Sequence, residues 1–119
     1  MTSTDQLQDL IIEGIQNRKG RSITVVDLSE IDSASARKFI IAEGTSTMQV
    51  SSIAESVGDY VREQSGVKPF NGDGRDGAEW IVLDYGDIWV HVFVREARLK
   101  YSLEDLWSDA VITDIPDLD

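Results

Sequence analysis

The sequence predicts a single α/β domain, with a mixed β-sheet of about five strands packed against helices. Three observations carry that expectation. Two capped apolar stripes with helical spacing alternate with runs rich in β-branched residues. The last two such runs flank a turn-forming tetrad, so at least one pairing is antiparallel and the sheet is mixed. The chain has 119 residues, the size of one domain, with no internal repeat and no dividing linker.

The first helix opens at Ser3, with Gln6 at the spacing of a capping box. Leu7, Leu10, Ile11 and Ile15 share one helical face. Arg18, Lys19 and Gly20 read as its end, with cations near the last carbonyls and Gly20 free to take a positive φ. Ile23–Leu28 is a β-branched strand, and 29–35 a polar connection. Phe39–Ala42 is a short buried strand running into Gly44-Thr45-Ser46. Ser46 and Gln49 repeat the capping spacing, and Val50, Ile53, Ala54, Val57 and Val61 continue as a long amphipathic helix stopped by Gly66. Val67–Phe70 is expected to add a short strand, and Asn71–Gly77, with three glycines, a loop. Glu96–Ala110 has mixed helical character around Leu99, Leu103, Leu106 and Trp107. Residues 111–119 are expected to form an acidic C-terminal tail after a domain over 1–110, frayed over Thr113–Asp119.

Trp80–Leu83 and Ile88–Val94 are the strongest strand signals, joined by Asp84-Tyr85-Gly86-Asp87. With an even-numbered loop, Ile81, Leu83, Tyr85, Ile88, Val90 and Val92 share one face. Trp80, Val82, Asp84, Trp89, His91 and Phe93 share the other. The first set suits a core under helices. The second mixes aromatics with a histidine and a carboxylate, the composition of an interface centre or of a second packed core.

Composition narrows the chemistry. No cysteine is present, which removes disulfides and thiolate metal sites. The start Met1-Thr2-Ser3-Thr4-Asp5 carries no signal-peptide pattern, and no apolar run is long enough to span a bilayer, so a cytoplasmic protein is expected. With 22 acidic and 11 basic residues the net charge is −11, which disfavours direct nucleic-acid reading and favours a basic partner. His91 is the single histidine. Gly44-Thr45-Ser46 lacks the second glycine and the lysine of a phosphate-binding loop. Asp84 and Asp87 are better explained by turn chemistry than by catalysis or metal binding. No catalytic residue, metal or cofactor is expected.

Three segments carry a family resemblance. Phe39-Ile40-Ile41-Ala42-Glu43-Gly44-Thr45-Ser46, continued by Gln49-Val50 and Ile53-Ala54, is the first. Glu79 to Ile88 followed by Val90-His91-Val92-Phe93 is the second. Glu96, Arg98, Tyr101, Leu103-Glu104 and Leu106-Trp107-Ser108-Asp109-Ala110 form the third. Together, from about Leu7 to Ala110, they resemble the ribosomal silencing factor family, the Iojap-like proteins. Ala36-Arg37-Lys38, Met48 and Arg95 depart from the family pattern, which usually has Thr-Asp-Tyr, Arg and Pro there.

The resemblance implies a nucleotidyltransferase-like topology without enzyme activity. It implies binding to ribosomal protein L14 of the large ribosomal subunit and a steric block to joining of the small subunit. It also implies a homodimer as a plausible state and, in organellar relatives, a role in large-subunit assembly. Trp80, Asp84, Tyr85, His91, Phe93, Glu96 and Glu104 are then the expected partner-binding residues. Arg98 has two open roles, a partner contact or an internal clasp between the closing helix and the sheet. Two other readings compete: a metal-dependent nucleotidyltransferase, for which no Asp-x-Asp follows on a strand, and an acidic adaptor for another basic protein.

Overall fold

The computed structural model describes residues 2–107 and 109–118, apart from the side chains of Glu104 and Leu106. In chain order the elements are α1 (Thr4–Gln16), β1 (Arg21–Asp27), β2 (Lys38–Gly44), α2 (Thr47–Ser65), β3 (Asn71–Asp73), β4 (Trp80–Asp84), β5 (Ile88–Val94), α3 (Arg95–Tyr101), α4 (Leu103–Leu106) and β6 (Val111–Ile115). Six strands form one sheet in the order β3-β4-β5-β2-β1-β6. β2 and β5 run parallel at its centre, and the other pairings are antiparallel. The expected mixed sheet is present, with one strand more than the sequence suggested.

Both long helices start as their caps require. The Ser3 hydroxyl accepts from the Gln6 amide at 3.1 Å, and the Gln6 side chain accepts from the Ser3 amide at 2.8 Å. Ser46 caps α2 through the Gln49 amide at 3.1 Å, but the reciprocal bond differs. The Gln49 side chain accepts from the Thr45 amide at 2.6 Å and donates to the carbonyls of Arg18 and Lys19, each at 3.3 Å. One glutamine thus ties the start of α2 to the turn after α1. Gly66 ends α2 with φ 78°, as its position predicted.

α1 and α2 pack on each other and cover one face of the sheet. The Ser56 hydroxyl donates to the Gly14 carbonyl at 2.8 Å across this contact. Ile11, Ile15, Val50, Ile53, Val57 and Val61 meet Ile40, Ile81, Leu83, Val90 and Val92 in one buried cluster. Each such side chain contributes about 1.5–3 kcal/mol by leaving water.

Four expectations need correction. The left-handed residue after α1 is Lys19, with φ 59°, and not Gly20. Gly20 is instead needed for closeness, because a Cβ there would lie 2.3 Å from Ile15 Cγ2. Arg18 and Lys19 lie past the cap residue Asn17, so no cation occupies the last turn. Val67–Phe70 is not a strand; the Val67 amide donates to the Ser65 hydroxyl, and pairing begins where the Phe70 amide donates to the Asp84 carbonyl at 2.7 Å. The strand β3 falls on Asn71–Asp73, inside the expected loop.

The C-terminal segment is also corrected. Val111–Ile115 is not frayed but pairs antiparallel with β1 as an edge strand. Val-Ile-Thr supplies β-propensity, and two of the aspartates are used. Asp114 accepts from the Thr24 hydroxyl at 3.0 Å, and Asp117 from the Ser22 amide at 2.8 Å. Glu96–Ala110 divides into α3 and α4 because Ser102 adopts φ 46°, outside helical space.

Gly74 turns β3 back toward β4 with φ 85°, and a Cβ on it would lie 1.9 Å from the Trp80 carbonyl oxygen. Gly74→Ala should therefore cost about 3 kcal/mol through backbone strain and overpacking. Denaturant unfolding checks this, and a change under about 0.5 kcal/mol would contradict the turn geometry.

Candidate functional site, the half-covered aromatic face

The hairpin register pairs Trp80 with Phe93, Val82 with His91 and Asp84 with Trp89. Four residues separate Asp84 from Trp89, so the loop is even-numbered and the expected partition of faces stands. The parallel pairing of β2 with β5 sets Phe39, Ile41 and Glu43 beside Trp89, His91 and Phe93. The opposite face, with Ile81, Leu83, Tyr85, Ile88, Val90 and Val92, is fully buried.

The mixed face is covered only in part by the segment after β5. Tyr101 from α3 lies against Trp80, with ring centroids 4.6 Å apart, and Trp80 stacks on Phe93 at 4.9 Å. Trp107, after α4, meets Phe39 edge-on at 6.1 Å. Phe39 in turn meets His91 at 4.6 Å and Trp89 at 6.1 Å. Phe39, His91 and Phe93 are buried; Trp80, Val82, Asp84, Trp89 and Trp107 are half-buried. Tyr101 retains 44% of its surface in water. The result is a slab of aromatic rings, floored by buried side chains and open on its outer side.

His91 is locked neutral in this floor. Trp80 Nε1 donates to His91 Nδ1 at 3.0 Å, so Nδ1 must be the unprotonated nitrogen and Nε2 carries the hydrogen. Burial pushes its pKa down to about 4. Nε2 has no hydrogen-bond partner among the described residues. The bond fixes the edge of the Trp80 indole and leaves its ring to Tyr101, Phe93 and solvent.

A charge clasp holds the cover in place. Arg98 on α3 donates to Glu43 Oε1 at 3.1 Å, to the Thr24 hydroxyl at 2.9 Å and to the Ser22 carbonyl at 2.6 Å. Arg95 donates to the other Glu43 oxygen at 3.3 Å. Of the two roles open to Arg98, the structure shows the internal clasp.

The expected partner-binding residues therefore divide. Trp80 and Asp84 lie on the half-covered face within reach of solvent. Asp84 also serves its turn, accepting from the Gly86 amide at 2.7 Å. His91 and Phe93 lie on that face but beneath its surface. Tyr85 lies on the opposite face, 5% exposed, where burial pushes its hydroxyl up to about 12. Glu96 is exposed in the first turn of α3, and the Glu104 side chain lies outside the described residues. Trp89, Tyr101 and Trp107 belong to the slab; the sequence places Trp89 on this face and Tyr101 and Trp107 in the closing segment, but counts none of them among the partner-binding residues. Their aromaticity was the available signal, but Tyr101 and Trp107 are six residues apart, which is no same-face helical spacing, and the left-handed break at Ser102 lies between them.

Among the described residues, no group of three or more histidine, aspartate or glutamate side chains is arranged to hold a metal ion. Glu43 already faces two guanidinium groups. No helix among the described residues is long and apolar enough to cross a membrane.

The family model described as ribosomal silencing factor during starvation, RsfS, matches residues 1–119. The chain belongs to the ribosomal silencing factor family. It is 33% identical over 108 residues to ribosomal silencing factor RsfS of Halalkalibacterium halodurans, covering 91% of each chain. Its identity to the RsfS protein of Bacillus subtilis is 35% over 99 residues, covering 83% of this chain and 82% of the relative. A crystal structure of a Chromobacterium violaceum protein superposes with a TM-score of 0.84 at 33% identity, covering 90% of this chain and 88% of the other. The family's description is that of a regulatory factor.

The neutral His91 has a measurable consequence. Its folded pKa, about 4, lies below the ordinary 6.5. The stability it contributes is complete above pH 6.5 and is lost as pH falls toward 4, by up to about 3 kcal/mol. His91→Gln cannot titrate. The stability gap between wild type and this variant, from denaturant melts, should narrow by about that amount between pH 7 and pH 4. A gap independent of pH would show that His91 is not held neutral.

Proposed function

We propose that this protein silences ribosomes by docking its half-covered aromatic face on ribosomal protein L14 of the large subunit, where its bulk blocks the small subunit. The observation that carries the reading is the slab of Trp80, Trp89, Tyr101 and Trp107, open to water beside Asp84. Half-exposed tryptophans and tyrosine supply contact area with little side-chain entropy to lose, and they dominate interface energetics. Asp84 and Glu96 add carboxylates for basic groups of the partner. The net charge of −11 speeds encounter with a basic ribosomal protein.

The mechanism makes and breaks no covalent bond. Two binding events compete for one place on the large subunit, and the first occupant excludes the second. The relatives named above are themselves called ribosomal silencing factors, which supports carrying that role to this chain. The site of action is the cytoplasm.

Sedimentation with purified subunits tests the reading. The protein should travel with the large subunit and lower the yield of joined ribosomes. Trp80→Ala, verified as folded, should weaken large-subunit binding about tenfold or more, the range of an interface hot spot. Glu63→Ala, exposed on α2 away from that face, should change it less than about threefold. Equal losses from both would refute the assignment of the face.

A further inference from the structure

Gln49 gathers a second surface whose charge opposes that of the whole molecule. Its side chain donates to the carbonyls of Arg18 and Lys19 and accepts from the Thr45 amide. Thr45 follows Gly44 and Glu43 at the end of β2. Glu43 is the register partner of Arg21 on β1 and accepts from Arg95 and Arg98. One end of the sheet therefore collects Arg18, Lys19, Arg21, Arg95 and Arg98.

The nearby carboxylates are largely occupied. Glu43 faces the two arginines of α3, Asp117 accepts from Arg21 at 3.4 Å and from the Ser22 amide, and Asp114 accepts from Thr24. Exposed Glu96 follows Arg95 in α3. Arg18 and Lys19 are exposed and take part in no ion pair among the described residues. The side chains of Arg21 and Arg95 are 58% and 68% exposed. Capping of α1 does not explain the first two, which lie beyond its C-cap residue Asn17. The fold draws these cations together through Gln49 and Glu43.

We infer that this basic corner, Arg18, Lys19, Arg21 and Arg95, is a second docking surface that contacts the phosphate backbone of ribosomal RNA. The inference rests on the silencing reading and deepens it. A footprint on the large subunit wider than one ribosomal protein meets RNA, and RNA presents a phosphate surface. A chain of charge −11 is repelled by such a surface except where it turns a cationic corner toward it. The contact fixes orientation and reads no bases, in keeping with side chains that bind phosphates as point charges and forks. Protein contact on the aromatic face and phosphate contact at the corner together hold the bound factor in one pose.

Salt dependence separates the two surfaces. Each phosphate contact contributes roughly 0.7–0.9 to the slope of log affinity against log salt concentration. The triple variant Arg18→Gln, Lys19→Gln, Arg21→Gln should flatten that slope by roughly 2 on whole large subunits and weaken binding about tenfold near 100 mM salt. The double variant Arg18→Gln, Lys19→Gln, which leaves the Arg21–Asp117 pair intact, should show about two-thirds of the effect. Neither variant should lose affinity for isolated ribosomal protein L14.

An unchanged slope on the subunit, with wild-type binding intact, would overturn the basic corner and leave the aromatic face standing. An equal loss of affinity for the isolated ribosomal protein would also overturn it, because the corner would then meet protein. Wild type that binds neither subunit nor isolated protein would instead overturn the silencing reading, and this inference with it.

Discussion

Arg98 reaches from α3 to Glu43 on β2 and onward to Thr24 and the Ser22 carbonyl on β1. The placement of the chain after β5 depends on that reach. α3 buries Ala97 and rests Tyr101 against Trp80 and Phe93, while Leu99 is 68% exposed. Burying one alanine methyl contributes about 0.8 kcal/mol, whereas breaking a buried ion pair from one side costs roughly 3–5 kcal/mol. The pair is partly buried, with both side chains near one-eighth exposed, so its cost lies toward the low end of that range. The polar clasp and the aromatic contacts together set where Tyr101 and Trp107 lie over the sheet.

The two faces of the sheet consequently differ in kind. Under α1 and α2 the packing is aliphatic and closed, and it supplies the stability of the domain. Under α3 and α4 the packing is aromatic and leaves tryptophan and tyrosine rings partly in water. The Trp80–His91 bond belongs to this second face. It satisfies the indole N–H below the surface and fixes the ring without occupying its outer side. A rigid aromatic surface of this type has lost most of its side-chain freedom before a partner arrives, so little further entropy is lost on docking. The polar ladder from Glu43 through Arg98 and Thr24 to Asp114 also joins the docking segment to the C-terminal edge strand. That strand thereby becomes part of the domain.

Much of this was legible in the residues. Both helix starts follow from Ser3 and Ser46 because a cap is a local event, decided within four residues. The faces of the hairpin follow from Asp84-Tyr85-Gly86-Asp87, because an even-numbered loop fixes the register of everything beside it. The misread positions depend on distant partners. Gly20 is needed because Ile15 approaches it, not because of its own φ. Val111–Ile115 looked like an acidic tail until Thr24 and Ser22, about 90 residues earlier, supplied donors for Asp114 and Asp117. Tyr85 could not be separated from the docking residues by composition, since an aromatic ring suits either face; its place in the alternation was the better guide. The extent of cover over the second face was likewise illegible, because it depends on the Ser102 break and on the Arg98–Glu43 pair, whose members are 55 residues apart.

Hydroxyl-radical footprinting of the protein, free and bound to purified large subunits, tests the central claim most directly. The account predicts that Trp80, Trp89, Tyr101 and Trp107 lose reactivity on binding, while Tyr60, on α2 and bonded to Glu13 of α1, keeps it. Protection of Tyr60 with the tryptophans left reactive would contradict it.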